Sequence, residues 1–164
     1  IGDHGMAVLA ARERLDFSPP LISDVAPLQA LTRALRQAVP ELHALRDATR
    51  GGVAGVAHEW AAASGRDIVL HEAALPVAPA VAAACELLGL DPLYVANEGK
   101  LLAAVPAEMA DKALSALRSL TAGHDAAVIG QVSSEAGGTV SILTKFNTYR
   151  VLSVPEGEQI PRIC

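Results

Sequence analysis

The sequence predicts an α/β fold, with a mixed sheet of about four strands covered by helices. Three observations support this prediction. Stretches with the apolar period of helices alternate with short β-rich runs along the chain. Two of these runs lie close together near the carboxyl end, as in a hairpin. Hydrophobic residues make up 51% of the 164 residues and charged residues 19%, which is typical of a globular domain.

Five helices are predicted from apolar periodicity and from helix-start and helix-stop residues. They cover 5–15, 24–39, 51–64, 78–89 and 106–120. Asp3 and His4 lie between glycines ahead of the first helix, and we expect them to cap it, with a binding loop as the alternative. Ser23 or Asp24 is expected to cap the second helix. Cys85 lies on the apolar stripe of the fourth helix, which predicts a small core residue.

Four strands are predicted from short runs of apolar and β-branched residues. They cover 67–72, 100–105, 126–132 and 139–144. The turn at 135–138 contains two glycines, so the last two strands are expected to pair as a hairpin. The domain is predicted to cover residues 1–152. The remaining residues, 153–164, are polar and contain prolines and a glycine, and we expect them to form a flexible tail.

Charge, hydropathy and cysteine usage exclude several classes of protein. The net charge of −5 provides no basic surface for nucleic acid. No apolar run approaches the roughly 20 residues that cross a bilayer, and the start lacks the layout of a signal peptide. The two cysteines do not form a disulfide framework. The four histidines after His4 (His43, His58, His71 and His124) have no zinc-ligand spacing with each other or with the cysteines. We therefore predict a cytoplasmic protein, and the missing initiator Met indicates a piece of a longer one.

The stretch RDATRGG, at 46–52, directly precedes a predicted helix. Glycines there permit a sharp turn and leave N–H groups unpaired at the positive end of the helix dipole, which favours anions. Asp47 is a candidate ligand for a hard cation such as Mg²⁺, and Arg50 for a phosphate. A capped helix entry with solvated charges is the alternative, and the spacing alone favours that alternative.

A second polar stretch, ANEGKLLA at 96–103, leads into a predicted strand. Asn97, Glu98, Gly99 and Lys100 are expected to form a tight turn in which Gly99 adopts a positive φ. A carboxylate at the edge of a strand becomes a general base when it is partly desolvated, which makes Glu98 a candidate. An ordinary hydrophilic turn is the alternative.

The chain ends in VPEGEQIPRIC, which places the thiol of Cys164 at the end of the predicted tail. A terminal thiol on a mobile arm can travel between sites, and a thiolate is a good nucleophile. Cys164 is therefore a candidate group carrier. An accidental terminal cysteine is the alternative.

Four stretches together resemble the C-terminal half of the HypE family of hydrogenase maturation proteins. They are GDHGMAVLAARE (2–13), RDATRGG (46–52), ANEGKLLA (96–103) and the terminal PRIC (161–164). That family belongs to the superfamily of aminoimidazole ribonucleotide synthetase and selenophosphate synthetase. The D-x-T-x-G-G element is shared across the superfamily, whereas NEGK together with a terminal PRIC is far more specific.

The resemblance implies a function. HypE-like proteins receive a carbamoyl group on the sulfur of their last cysteine from the carbamoyltransferase HypF. They then use ATP to dehydrate this thiocarbamate to a thiocyanate. The cyanide passes through the HypC–HypD complex to iron for nickel–iron hydrogenases. In this sequence the matching carrier is Cys164.

The resemblance also implies roles for the polar stretches. Glu98 is expected to remove the nitrogen protons as phosphate leaves, while Lys100 either offsets charge on the phosphorylated intermediate or structures the turn. Asp47 matches the superfamily aspartate that helps to bind Mg²⁺ and ATP. The further candidates for nucleotide contact are Thr49, Arg50, Gly51, Gly52 and Asn97.

Proteins of this family also have an N-terminal domain that supplies most of the nucleotide site and the homodimer interface. Nothing in this chain corresponds to it, so the chain alone is expected to have little ATP-dependent activity. The resemblance implies a four-stranded mixed sheet with helices, partly ferredoxin-like. The alternative to an enzyme domain is a non-catalytic docking module that presents the tail to partners. Selenophosphate or purine synthesis is disfavoured because neither uses a terminal thiol.

Overall fold

The computed structural model describes residues 1–154, and these form five helices and six strands. The helices are α1 (Asp3–Glu13), α2 (Gln29–Ala38), α3 (Gly52–Ser64), α4 (Pro79–Leu88) and α5 (Ala110–Arg118). The strands are β1 (Ala44–Asp47), β2 (Arg66–His71), β3 (Leu101–Ala104), β4 (Gly130–Ala136), β5 (Val140–Leu143) and β6 (Tyr149–Val151). Within these residues no helix is long and apolar enough to span a bilayer.

The main sheet has four strands in the order β4-β2-β5-β6. β2 pairs antiparallel with β4 and parallel with β5, and β5 pairs antiparallel with β6. Helix α3 packs on one face, where its apolar residues join the buried side chains Ile68, Leu70, Val140 and Ile142 in one cluster. This arrangement confirms the predicted α/β class with a mixed sheet.

A second sheet consists of β1 and β3 alone, paired antiparallel with Ala44 opposite Ala104 and Asp47 opposite Leu101. Helices α2 and α5 pack together beside it, and the fully buried Leu35 of α2 belongs to their shared core. The predicted strand at 100–105 is therefore confirmed, but it does not join the main sheet. Its partner β1 was missed because half of its four residues are charged.

A third cluster lies between α1 and α4 and contains Met6, Val81 and Cys85. Cys85 is 1% exposed, which confirms the prediction of a core residue. Desolvation by burial, with a smaller effect of the nearby Asp91 carboxylate, raises the pKa of the Cys85 thiol to about 11. At neutral pH this thiol is therefore protonated and a poor nucleophile.

The predicted hairpin near the carboxyl end is wrong, because β2 lies between β4 and β5. The connection between those strands passes the start of β2. There the Gly137 amide donates to the Gly65 carbonyl at 3.1 Å, and the Thr139 amide donates to Asp67 Oδ1 at 2.7 Å. In its central position β2 has a hydrogen-bonded neighbour strand on each edge. This strand also contributes the buried side chain of Ile68 to the core. Strand β4 also begins at 130 rather than 126, and β6 was not predicted.

The predicted helix starts also need correction. Helix α2 begins at Gln29 rather than at 24, and the Asp24 side chain does not cap it but bonds to the turn at 97–100. Helix α1 begins at Asp3 itself, with Gly2 at the N-cap in a left-handed conformation and no side-chain cap. A short 3-10 turn precedes α5, so the α-helix predicted at 106–120 covers only 110–118.

The last described residues are attached to the core. Leu152 is 2% exposed, and its amide donates to the Val140 carbonyl at 2.8 Å. The Ser153 carbonyl accepts hydrogen bonds from Tyr94 Oη at 2.9 Å and from His58 Nε2 at 3.0 Å. The predicted tail beyond residue 154, including Cys164, lies outside the described residues.

Candidate functional site

Two stretches that are distant in sequence meet at one end of the β1–β3 sheet. Strand β1 ends at Asp47, opposite the first residue of β3. The Ala48 amide then donates to the Lys100 carbonyl at 3.3 Å, and the Asn97 amide donates to the Ala48 carbonyl at 3.0 Å. The loop 47–52 and the turn 97–100 are therefore neighbours. We call these two segments the phosphate loop and the carboxylate turn, after their predicted chemistry.

Asn97 joins the carboxylate turn to two other parts of the chain. Its side chain is fully buried, and Oδ1 accepts a hydrogen bond from the Gly2 amide at 2.8 Å. Its Nδ2 donates to the carbonyls of Ala48 and Val95, both at 3.1 Å. These contacts leave no exposed polar atom for a ligand. Nucleotide contact by Asn97 stays an untested prediction, and its observed contacts are those of a residue that holds three segments together.

Glu98 carries the carboxylate that remains unpaired in this turn. The residue is half-buried, and within residues 1–154 its carboxylate makes no hydrogen bond or ion pair. Its backbone N–H donates to Asp24 Oδ1 at 3.1 Å. The position is thus fixed through the main chain, while the carboxylate oxygens stay available to accept a proton.

Gly99 does not have the positive φ that the sequence predicted. A Cβ atom at this position would instead overlap the backbone carbonyl of Asp24. The glycine is required because two backbone segments approach closely, not because of its own conformation.

Lys100 lies between two carboxylates. Its Nζ is 2.8 Å from Asp24 Oδ2 and 3.1 Å from Asp3 Oδ2. Partial burial disfavours the charged form, but the hydrogen bonds and charges of these carboxylates outweigh it and raise the pKa of Lys100. Asp24 and Asp3 were not predicted as site residues. The local sequence predicted Asp24 as a helix cap, and Asp3 as a helix cap with a binding loop as the alternative.

The phosphate loop turns into α3 through two left-handed glycines, Gly51 at φ 68° and Gly52 at φ 60°. A Cβ at Gly52 would lie 2.5 Å from the Leu93 carbonyl oxygen, so no larger residue fits. The Gly52 amide donates to the Thr49 carbonyl at 3.4 Å, whereas the Gly51 amide donates no hydrogen bond within residues 1–154. Gly51 is therefore the better placed of the two for an anion at the helix N-terminus.

The side chains of the phosphate loop are open to solvent. The Asp47 side chain is 54% exposed, with one carboxylate oxygen 3.7 Å from Arg46 Nε. Arg50 is exposed and Thr49 half-buried. Within residues 1–154 no group of three His, Cys, Asp or Glu side chains forms a metal cage. Mg²⁺ in nucleotide sites needs only one or two carboxylates together with phosphate oxygens, so Asp47 fits as a partial ligand set.

The fold and this site define a class of protein. Residues 1–142 match the family described as AIR synthase related protein, C-terminal domain, and the chain belongs to that family. More particularly, it is 51% identical over 164 residues to carbamoyl dehydratase HypE of Escherichia coli (strain K12), covering all of this chain and 48% of that protein. These findings confirm the resemblance inferred from the four stretches.

Solved structures agree with this family assignment. A hydrogenase maturation protein HypE in complex with ATP superposes with a TM-score of 0.93 at 42% identity, covering all of this chain and 50% of the other. A HypE–HypF complex contains a chain with a TM-score of 0.90 at 45% identity, covering 94% of this chain and 50% of the other. This chain thus spans about half the length of the relatives that it matches.

Proposed function

We propose that this chain is the C-terminal half of an ATP-dependent carbamoyl dehydratase that serves nickel–iron hydrogenase maturation. In this proposal a carbamoyl group on the sulfur of Cys164 is dehydrated to a thiocyanate, which supplies cyanide for the active-site iron. The main supporting observation is the carboxylate turn beside the phosphate loop, in a chain similar along its whole length to HypE.

The chemistry needs a leaving group and a base. Loss of water from the thiocarbamate requires its oxygen to leave, and transfer of the γ-phosphoryl group of ATP to that oxygen makes it a phosphate. The nitrogen carries two protons: one is released to solvent when the oxygen is phosphorylated and a C=N bond forms. A base then takes the other as the C–O bond breaks, so that the N–H electron pair completes the C≡N bond and phosphate leaves. The half-buried, unpaired carboxylate of Glu98 is suited to accept that proton.

The phosphate loop is suited to the nucleotide. In the proposal Asp47 binds Mg²⁺ that is carried by ATP, while Arg50 and the Gly51 amide contact phosphate oxygens. When bound, the ion neutralises charge on the phosphates. In the proposal most of the nucleotide site lies in the half of the relatives that this chain does not span, so the 164 residues alone should show little activity.

The proposal includes partners and a setting. HypF, which forms a complex with a structural neighbour of this chain, is the proposed donor of the carbamoyl group. The HypC–HypD complex is the proposed acceptor of cyanide, the complete protein is proposed to be a homodimer, and the setting is cytoplasmic. Each of these assignments rests on similarity to HypE.

Substitution of Glu98 by Gln in a full-length protein that carries these 164 residues tests the proposal. The variant keeps the size of the side chain and removes the base, so ATP-dependent dehydration should fall at least about a hundredfold. Mass spectrometry of the terminal peptide measures it as loss of one water from carbamoylated Cys164. Loading of the carbamoyl group by HypF should be unchanged.

Glu108→Gln is the matched control, because Glu108 is exposed and makes no hydrogen bond or ion pair within residues 1–154. It should dehydrate at the wild-type rate. Wild-type dehydration by Glu98→Gln would contradict the enzyme proposal and favour the docking module, in which this half only presents the tail.

A further inference from the structure

The segment between α1 and α2 places one carboxylate against the carboxylate turn. Both oxygens of Asp24 are used: Oδ1 accepts from the Glu98 amide at 3.1 Å, and Oδ2 accepts from Lys100 Nζ at 2.8 Å. The Asp24 side chain is only 8% exposed. One side chain therefore fixes two residues of the turn, one of them the proposed base.

The backbone of the same segment also fits closely against the turn. A Cβ at Gly99 would overlap the Asp24 carbonyl and would lie 3.1 Å from the Ala26 amide nitrogen. Ser23 attaches the segment to α1, because its Oγ lies 2.8 Å from His4 Nδ1. The contact is thus made by side chains and main chain together, and it leaves the turn little room to shift.

The charges of this cluster bear on the role of Lys100. Its ammonium is bound by Asp24 and by Asp3, whose Oδ2 lies 3.1 Å away, so the three side chains carry a net charge of −1. The charge of Lys100 is already balanced by two carboxylates, which leaves it little attraction for a phosphoryl group. The sequence left two roles open for Lys100, and this geometry favours the structural one.

We infer that Asp24 is a positioning residue for Glu98, an inference that rests on the proposed function. The Glu98 carboxylate makes no hydrogen bond or ion pair within residues 1–154, so no polar partner fixes its direction and its position depends on where its backbone is held. Asp24 holds that backbone directly through Oδ1, and its Oδ2 holds Lys100, two residues further along the turn. Its loss lets the base drift from the reacting nitrogen, which slows proton removal and leaves ATP binding unchanged.

The effect of Asp24 on proton removal can be measured with the variants Asp24→Ala and Asp24→Asn. Both are made in a full-length protein that carries these 164 residues. A misplaced catalytic group costs up to about a hundredfold in rate, so Asp24→Ala should slow single-turnover dehydration by about that factor. Asp24→Asn keeps an oxygen for the Glu98 amide and should lose only about tenfold. The KM for ATP should stay within about twofold for both. Asp16→Asn changes an exposed carboxylate that makes no hydrogen bond or ion pair in residues 1–154, and this variant should behave as wild type.

A double-variant cycle separates positioning from general destabilisation. If Asp24 acts through Glu98, adding Asp24→Ala to Glu98→Gln should slow the reaction by no more than about twofold further. Thermal unfolding shows which variants are folded at the assay temperature. If Asp24→Ala is unfolded there, Asp24→Asn replaces it in the double-variant cycle.

Two results would overturn the inference while the proposed function stands: multiplicative losses in the double variant, or a near-normal rate for both Asp24 variants while Glu98→Gln is defective. Wild-type dehydration by Glu98→Gln alone would instead remove the proposed base, and the positioning role with it.

Discussion

The carboxylate turn and the phosphate loop are adjacent, yet they differ in how their polar groups are used. In the turn, Asn97 and Lys100 bond to other parts of the chain, and only the Glu98 carboxylate is unpaired within residues 1–154. In the loop, Asp47 and Arg50 extend into solvent. One region is already ordered by the protein itself, and the other has its polar groups available for a ligand.

This difference matches the two tasks proposed for the site. A general base must be held to a fraction of an ångström, so its surroundings are bonded within the fold before substrate arrives. A loop that binds a nucleotide gains its partners only when phosphates are present. We therefore expect substitutions in the turn to cost folding free energy, and substitutions in the loop to cost ligand affinity. Three measurements on the described residues test this contrast.

The largest effect on stability is expected for Asn97→Ala. It removes three buried hydrogen bonds and leaves the Gly2 amide and the carbonyls of Ala48 and Val95 without that partner. Unpaired buried groups cost about 1–3 kcal/mol each, and partial relaxation offsets some of this. We expect the free energy of unfolding to fall by about 3 kcal/mol, measured by urea denaturation of the 164-residue chain.

Gln37→Ala is the control for Asn97, because Gln37 is an exposed amide on α2 without a hydrogen bond in the described chain. It should change stability by less than about 0.5 kcal/mol. Equal losses for the two variants would remove the contrast between the regions.

The fold was predictable where local patterns decide the structure. The apolar stripe of α3 predicts a helix at 51–64, within one residue of the observed Gly52–Ser64, and the predicted end of the fourth helix at 89 lies one residue beyond Leu88. Strand pairing was not predictable in the same way. β2 inserts between β4 and β5 because its apolar residues are best covered at the centre of the sheet, and no local signal at 135–138 reveals a third strand.

In the candidate site, too, local features were predictable and long-range contacts were not. Glu98 and Lys100 are candidates that their own motif predicts, but Asp24 is predicted only as a helix cap because its partners lie more than 70 residues away along the chain. Gly99 was expected to need a positive φ, whereas its requirement arises from the approach of the Asp24 backbone. Long-range contacts of this kind leave no trace in the spacing of one segment.

A smaller, pH-dependent effect is expected for Lys100→Met, which keeps the apolar stem and removes the charge. Loss of its charge-assisted hydrogen bonds to Asp24 and Asp3 should cost about 2 kcal/mol near pH 8. The folded protein raises the pKa of Lys100, so this stabilisation is complete below the unfolded value of about 10.4 and is lost as pH rises through the folded pKa.

Urea denaturation between pH 8 and pH 11 checks the direction of this pH dependence. The difference between wild type and Lys100→Met should be constant up to about pH 10 and then shrink. Lys112→Met, at an exposed position on α5, should show no such difference at any pH. A stability difference between wild type and Lys100→Met that widens at high pH would contradict the ion pairs of Lys100 with Asp24 and Asp3.

The smallest effect on stability is expected for Asp47→Asn. Its carboxylate is 54% exposed and 3.7 Å from Arg46 Nε, and surface ion pairs of this kind contribute less than about 1 kcal/mol. The 164-residue chain should therefore unfold at nearly the wild-type urea concentration. In a full-length protein with the same substitution, affinity for ATP in the presence of Mg²⁺ should instead fall about tenfold or more, because the proposed Mg²⁺ site loses its carboxylate.

Isothermal titration with and without Mg²⁺ distinguishes the metal role from a general loss of charge. A metal ligand predicts that Asp47→Asn and wild type bind ATP alike once Mg²⁺ is removed, and that they differ only in its presence. Asp16→Asn removes one negative charge from another exposed site and should match wild type in both conditions. If Asp47→Asn destabilised the chain as much as Asn97→Ala and left ATP affinity unchanged, the loop would be part of the same rigid structure as the turn, and its assignment to phosphate binding would be wrong.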